Sequence, residues 1–393
     1  MMNRAMFKKN EAAVMSRRIR KFTALAQRLL GASTLLAGEE IHLLINPISG
    51  CLKRCRTHRR MMRRLRRLAD IDRNGSANRE SGGIVRFERS EGSRNKTGST
   101  DKMGARDDKG PPKFYFYETK NLNMACKLAL EIAQNLSELH EGQLRLLVLA
   151  GGDGFHRGIC SALMQEAPRL LQDIILFRLP MGTGNDSADA KTVEESLFIL
   201  NTSRTTRKDA LIEIQTSLGI TLHACNTVCF GIDAFVCLLT NKMKKLLGAS
   251  FIYRFFANVA VLLYELLHPL KEWNVTVFKA DGEIERRQGR YLLNIFGRKG
   301  NTTYGGGMKV LPDRENYLLV HPLTLPEKIR LKPLFYRGAH RSLPAMEFFL
   351  SDRVEMSHDG SILMALDGEV VRLRPEDFPL VLRKIPDALT ILH

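Results

Sequence analysis

The sequence predicts an α/β protein in two domains, a doubly wound parallel sheet followed by a mainly antiparallel β domain. Three observations predict it. Short, nearly continuous apolar runs alternate with amphipathic helical stretches through the first half, the pattern of parallel strands buried on both faces. Beyond about residue 207 the runs shorten, several alternate between apolar and polar, and turn residues separate them, as antiparallel strands require. A chain of 393 residues also exceeds what one ordinary core holds.

Residues 1–40 read as a basic N-terminal extension, helical in "RRIRKFTALAQRLL". The first domain spans 41–206 and opens with "IHLLINPISG", a buried strand ending in a Pro/Gly turn. "CLKRCRTHRRMMRRLRRLAD" then sets Leu52, Cys55, Met62, Leu65 and Leu68 near helical spacing beneath a coat of arginine. Residues 70–112, rich in Gly, Ser, Asn and charge, predict a disordered insertion or long surface loop. "KFYFYE" is a strand, "NMACKLALEIAQNL" a helix and "LRLLVLA" a central strand. A helix over about 156–170 and the strand "DIILFRL" complete the alternation. The β-rich domain spans 207–375 with one helical excursion across 241–268, and 376–393 is a tail expected to return to the first domain.

Composition narrows the class. A 44% hydrophobic, 26% charged chain is that of a globular protein. Seven cysteines without a CxxC pair give neither a disulfide framework nor a zinc pattern, which favours a reducing, cytoplasmic setting. No uninterrupted apolar leader is evident. The run Leu246–Leu267 is broken by Arg254 and Glu265 and reads as a buried or interfacial helix. The net charge of +18 is polarised: residues 1–68 hold 17 Lys/Arg against 3 Asp/Glu. Such an end suits an anionic partner. "HRRMMRRLRR" comes without any RRM, KH or helix-turn-helix signature, so an acidic lipid surface is expected there rather than nucleic acid.

Three glycine-centred turns carry the chemistry: "NPISG" (46–50), "GGDG" (151–154) and "PMGTGND" (180–186). Each follows an apolar strand, so all three fall on the carboxyl edge of one sheet, where ligands of open α/β sheets bind. Glycines let backbone N–H groups approach phosphate oxygens. Neither GxxxxGK[ST] nor a GxGxxG after the first strand is present, which excludes a Walker loop and a dinucleotide fingerprint.

As a set, NPISG, GGDGF and GTGND resemble the NPxSG, GGDGT and GTGND signatures of the diacylglycerol kinase catalytic-domain superfamily. That group includes bacterial diacylglycerol kinases and sphingosine and ceramide kinases, and is distantly similar to NAD kinases. The likeness covers roughly residues 41–69 and 113–393; it is specific in the three loops and looser in "NTVCFGIDAFV" (226–236) and "LDGE" (366–369). It implies ATP and Mg²⁺. Asn46, Ser49 and Gly50 would line the nucleotide cleft, Asp153 would lie against the phosphates or their metal, and Gly151, Gly152 and Gly154 would give backbone approach. Gly182, Thr183, Gly184, Asn185 and Asp186 would hold nucleotide, with Asp186 ordering the metal. Asp367 would be the base for a lipid hydroxyl, Glu369 a metal or positioning partner, and Asp209 a support for that acidic cluster.

The resemblance implies transfer of the ATP γ-phosphate to a lipid hydroxyl at a membrane surface, diacylglycerol first, with a sphingoid base or ceramide-like lipid as the alternative. A catalytically weak lipid- or nucleotide-binding protein recruited to membranes is a reading of another class. Peripheral membrane association through anionic phospholipid follows from the basic end, and a homodimer is allowed. Three departures bear on this. Phe155 replaces a threonine and reads as scaffold. Ser187, Ala188 and Asp189 stand where Phe-Ala-Arg is common, a charge reversal that would weaken phosphate attraction. After Pro312 the usual Asp-Asp-Gly is missing, so no structural metal is expected there. The apolar stretch 246–267 reads either as a core helix or as part of an acyl-chain pocket between the domains.

Overall fold

The computed structural model describes residues 2–31, 33, 36–77, 111–139, 144–182, 184–247, 251–304 and 308–393. In the first lobe, α1 (Met2–Gly31) leads to β1 (Glu40–Ile45), the single turn α2 (Gly50–Lys53) and α3 (Cys55–Ala77). Then come β2 (Lys113–Glu118), α4 (Leu122–Ser137), β3 (Leu146–Gly151), α5 (Asp153–Glu166), α6 (Pro168–Asp173), β4 (Ile175–Pro180) and α7 (Val193–Thr202). The four strands are parallel in the order β2-β1-β3-β4. Neighbouring residues of each inner strand serve opposite faces. Leu43, Val148 and Phe177 meet Phe22 and Ala26 of α1, Leu65 of α3 and Leu200 of α7. Leu44, Leu147 and Leu176 meet Ile132 of α4, Ile159 of α5 and Leu171 of α6. The sheet is therefore doubly wound.

Several boundaries move. The basic extension is not a tail: α1 buries Ile19, Phe22, Ala26 and Leu30 in the lobe's core, and Arg18 donates to the carbonyls of Leu52 (2.8 Å) and Lys53 (2.6 Å). Of the segment 70–112 expected to be a disordered insertion or long surface loop, residues 70–77 are the end of α3, and residues 78–110 lie outside those described. Cys55, expected on the apolar stripe, is exposed at the first residue of α3. The helix expected over 156–170 is two helices, since Ala167, preceding Pro168, leaves the helical region at φ −150°.

The second lobe contains β5 (Thr206–Gln215), β6 (Thr221–Ala224), β7 (Thr227–Gly231), α8 (Ile232–Leu247) and α9 (Phe251–Leu267). It continues through β8 (Glu272–Lys279), β9 (Ile284–Arg290), β10 (Leu293–Gly297), β11 (Thr302–Tyr304), β12 (Met308–Leu311) and β13 (Tyr317–Val320). α10 (Leu325–Arg337), β14 (Met346–Phe349), β15 (Ser351–His358), β16 (Ile362–Leu366), β17 (Glu369–Leu373) and β18 (Leu380–Leu392) complete it. Six strands form an antiparallel sheet in the order β14-β13-β10-β7-β16-β17. Phe230, Phe296 and Leu366 on its inner face pack against Trp273, Val354 and Leu382 of the first sheet. Cys229, Ile295 and Leu318 on its outer face lie under Ala234, Tyr264 and Leu331 of α8, α9 and α10. β18 pairs in parallel with β4 and antiparallel with β5 and β15, so one sheet runs through both lobes.

Candidate active site

The order β2-β1-β3-β4 reverses direction between β1 and β3, and the crevice beyond a reversal point is where open α/β sheets take ligands. NPISG leaves β1 and GGDG leaves β3, so both flank that crevice; GTGND leaves β4 beside them. The turns are tied to one another. Asn46 N donates to Ala150 O at 3.0 Å and Cys51 N to Met181 O at 2.9 Å. Asn46 Oδ1 accepts from Ile48 N at 3.2 Å, fixing the turn.

Asp153 opens α5 and its carboxylate holds the loop after β4. Oδ2 accepts from Asn185 N at 2.8 Å, and Oδ1 accepts from Ser187 N at 2.8 Å and Ser187 Oγ at 2.9 Å. Behind it lies a brace the motifs did not announce. His156 Nε2 meets Leu149 O at 3.0 Å and Nδ1 meets Ser187 Oγ at 3.1 Å. The carbonyl must be an acceptor, so Nε2 carries the proton, and the single Ser187 hydroxyl hydrogen serves either Asp153 Oδ1 or the Nδ1 lone pair, one at a time. Burial lowers the His156 pKa to about 4, which keeps the ring neutral. Asn185 stands at φ +67° and its Oδ1 accepts from Gly182 N at 2.7 Å.

The glycines serve proximity between loops. A Cβ on Gly182 would stand 2.5 Å from Gly152 Cα, and one on Gly184 only 2.7 Å from Asp153 Oδ2 and 3.4 Å from Asp186 Oδ2. At Gly154 it would meet Glu369 Oε1 at 3.0 Å, so this glycine admits the second lobe. Gly151 differs from expectation: a Cβ there would lie 2.3 Å from the Phe155 ring. Its bare backbone receives that ring, and it does not line the cleft. Phe155 is buried scaffold.

From the second lobe, the β16–β17 hairpin brings Asp367 and Glu369. Asp367 and Gly368 have φ of +49° and +87°, the two left-handed residues of a tight Asp-Gly hairpin turn. Asp367 is half-buried and accepts three backbone N–H groups: Cys225 N on Oδ2 (2.6 Å), Asn226 N (2.8 Å) and Thr227 N (2.9 Å) on Oδ1. Burial raises its pKa, the N–H donors of Cys225 and Thr227 oppose that, and the Asp153 charge adds to it. Asn241 of α8 donates to Gly368 O at 2.7 Å, holding the hairpin from the far wall.

These groups share one cleft of about 580 Å³. Asn46, Ser49 and Gly50, then Gly152, Asp153 and Gly154, then Gly182, Gly184 and Asp186, and finally Asp367 and Glu369 all line it. Thr183 lies outside the described residues, and Asn185 supports the loop from behind. Asp209 is a correction. Its carboxylate does not face the cleft but is held by Arg178 at 2.8 Å and by Arg298. Asp189 is another: Arg178 binds it in a buried pair at 2.6 Å, so its charge is neutralised in the core and does not oppose phosphate. Of the stretch 246–267, read as a core helix or as part of an acyl-chain pocket, the side chains of 246–257 lie outside those described. A cavity of about 110 Å³ lies within the second lobe beneath α8, α9 and α10, and Val261 is the one described residue of 246–267 that lines it.

Sequence reasoning missed Lys120, Arg157, Asn226 and Thr240, which also line the cleft. Arg157 was detectable, one helical turn beyond Asp153 and thus on the same face of α5. Among the described residues, Ser49 Oγ, Arg157 Nε, Asn226 Nδ2 and Thr240 Oγ1 are buried without a hydrogen-bond partner. Such groups are costly unless a ligand satisfies them. A phosphate-bearing nucleotide fits this donor set. Among the described residues no three His, Cys, Asp or Glu side chains form a ready metal cluster. Mg²⁺ suits the site nonetheless, because it commonly takes one or two carboxylates and completes its shell with phosphate oxygens and water. Asp153 and Asp186 converge at Gly184, and Glu369 stands across at Gly154.

Comparison with known proteins agrees with this architecture. Residues 100–214 match the diacylglycerol kinase catalytic domain, and residues 226–393 match the YegS C-terminal NAD kinase β-sandwich-like domain. No curated protein matches. The fold is similar to a diacylglycerol kinase from Bacillus anthracis str. Sterne, with TM-score 0.51, 12% identity, and coverage of 90% of this chain and 97% of that one. It is also similar to a candidate diacylglycerol kinase of the same strain, with TM-score 0.54, 15% identity, and coverage of 90% and 96%. Both domain matches and the converging loops lead to one conclusion: the chain belongs to the diacylglycerol kinase catalytic-domain superfamily.

Proposed function

We propose that this kinase-family protein uses ATP and Mg²⁺ to phosphorylate the hydroxyl of a lipid, diacylglycerol being the first acceptor to test. The observation that carries the reading is the cleft itself. Four carboxylates and four buried, unpartnered polar atoms from both lobes face one space. When bound, ATP supplies the phosphoryl group, and Mg²⁺ offsets its charge and that of the carboxylates. The chain's own residues position and move a proton. Arg157, Asn226 and the Gly152–Gly154 backbone bind phosphate oxygens, leaving Asp153 and Asp186 to hold the ion. Asp367 Oδ1 is saturated by two N–H groups, whereas Oδ2 accepts one and keeps a lone pair for the acceptor hydroxyl. Its raised pKa makes it a better proton acceptor than an ordinary aspartate.

Phe155 is buried against Gly151 and its remaining surface lines the cleft. Seven exposed arginines on α3, from Arg56 to Arg67, have no carboxylate partner among the described residues, which favours an anionic leaflet as the place of work. No helix among the described residues is long and apolar enough to cross a membrane.

The test is transfer of labelled phosphate from ATP to a panel of diacylglycerol, sphingoid base and ceramide. Phosphatidic acid is the expected product. Asp367→Asn should reduce turnover by about 10²–10⁴-fold, with folding checked by thermal unfolding. Stabilisation by ATP without any phosphorylated lipid would overturn the kinase reading in favour of a binding protein.

A further inference from the structure

Helix α9 presents the wrong face to solvent for an ordinary covering helix. Ala260 and Tyr264 are buried one turn apart, against the second lobe. The opposite side carries Leu262, Leu263, Leu266 and Leu267, between 41% and 77% exposed. Its one carboxylate in that stretch, Glu265, is held by Lys328 of α10 at 2.6 Å. Beside that bridge, α10 exposes Leu325 and Ile329 as well. An amphipathic helix normally shows charge here, and a contiguous apolar ridge of this kind marks an interaction surface.

The charge around the ridge names its partner. Residues 241–271 carry five Lys/Arg against one acidic residue, and 325–337 carry four against one. Lys242, Lys271, Arg330 and Arg337 are exposed. Leucines at the crest with cations at the rim are the chemistry of a helix lying in the headgroup region of an anionic bilayer, apolar side down. We propose that the α9–α10 ridge is the surface by which this protein seats on an anionic phospholipid leaflet. The assignment rests on the lipid-acceptor reading above, and the fold supplies the link. α8, paired with α9, forms a wall of the cleft through Cys237, Thr240 and Asn241. A seated ridge therefore brings the hairpin that carries Asp367 and Glu369 to the membrane.

The experiment is co-sedimentation of the full chain with vesicles of phosphatidylcholine alone or mixed with phosphatidylglycerol. Binding is read without turnover, so it is independent of whether the protein is a kinase. The wild type should bind the anionic vesicles and not the neutral ones. Leu262→Ser with Leu266→Ser should weaken binding by about ten-fold or more, keep the melting temperature, and leave activity on a short-chain, monomerically dissolved acceptor unchanged. Leu266→Trp should keep binding and shift its fluorescence to the blue on anionic vesicles. The proposal is overturned if the serine variant binds like the wild type, if the wild type ignores anionic vesicles, or if the protein is a dimer that the serine variant dissociates.

Discussion

Asp153 accepts the backbone N–H groups of Asn185 and Ser187, and shares the Ser187 hydroxyl with His156, so it is a brace for the loop after β4 as much as a group facing phosphate. Asp153→Asn would turn an amide N–H toward a backbone donor; the expected cost is about 1–3 kcal/mol, seen in thermal unfolding with a raised KM for ATP. Arg157 differs, since its Nε has no internal partner to lose. Arg157→Gln should leave the melting temperature unchanged and lower kcat/KM by about 10²-fold, with partial rescue by Arg157→Lys. His156 ties pH to stability. Its folded pKa of about 4 lies below the ordinary 6.5, so the folded state resists protonation. That contribution is complete above pH 6.5 and is lost as pH falls from 6.5 toward 4, on the order of 3 kcal/mol in all. Denaturant unfolding across that window should show the slope, and His156→Gln should flatten it.

At the scale of elements, the three turns act as one interlocked unit. The glycines read in the sequence as room for phosphate are, in the fold, mostly room for neighbouring protein. Gly152 faces Gly182 backbone to backbone, Gly184 admits Asp153, and Gly154 admits Glu369. Gly182→Ala must push the loops after β3 and β4 apart, because the Cα of Gly152 cannot rotate away as a side chain would. Overpacking of that kind costs about 1–3 kcal/mol. ATP affinity should fall further than stability does, measured by titration calorimetry beside thermal unfolding. The β16–β17 hairpin has the same logic. Its two left-handed residues set Asp367 under three backbone donors of the β6–β7 connection and β7, and only then can Glu369 reach the start of α5.

Across the whole molecule, β18 and a buried ion network make two lobes behave as one. Arg178 of β4 binds Asp189 and Asp209, and Arg298 at the end of β10 also binds Asp209 of β5. Asp209→Ala would strand Arg298 in the interior without that carboxylate, at a cost of about 3–5 kcal/mol. The expected outcome is a lower unfolding midpoint together with loss of turnover, although Asp209 does not touch the cleft. Removal of the segment from Leu380 onward should yield insoluble protein, since β4, β5 and β15 would each lose a paired strand.

Strand ends, fold class and the loops that flank the reversal of the sheet were legible in the sequence because local periodicity and turn chemistry encode them within a few residues. The tight Asp-Gly turn at Asp367 is just as local, but it was not read from the sequence and emerged only in the fold. Tertiary structure alone decided which groups are partners: Asp189 with Arg178, Phe155 with Gly151, His156 with Ser187, and Asp367 with donors some 140 positions earlier. No spacing rule reports these, because burial and hydrogen-bond satisfaction depend on what the folded chain brings alongside. The solvent-facing leucines of α9 belong to the same class. Their composition reads as core, and only the packing of Ala260 and Tyr264 inward turns them outward.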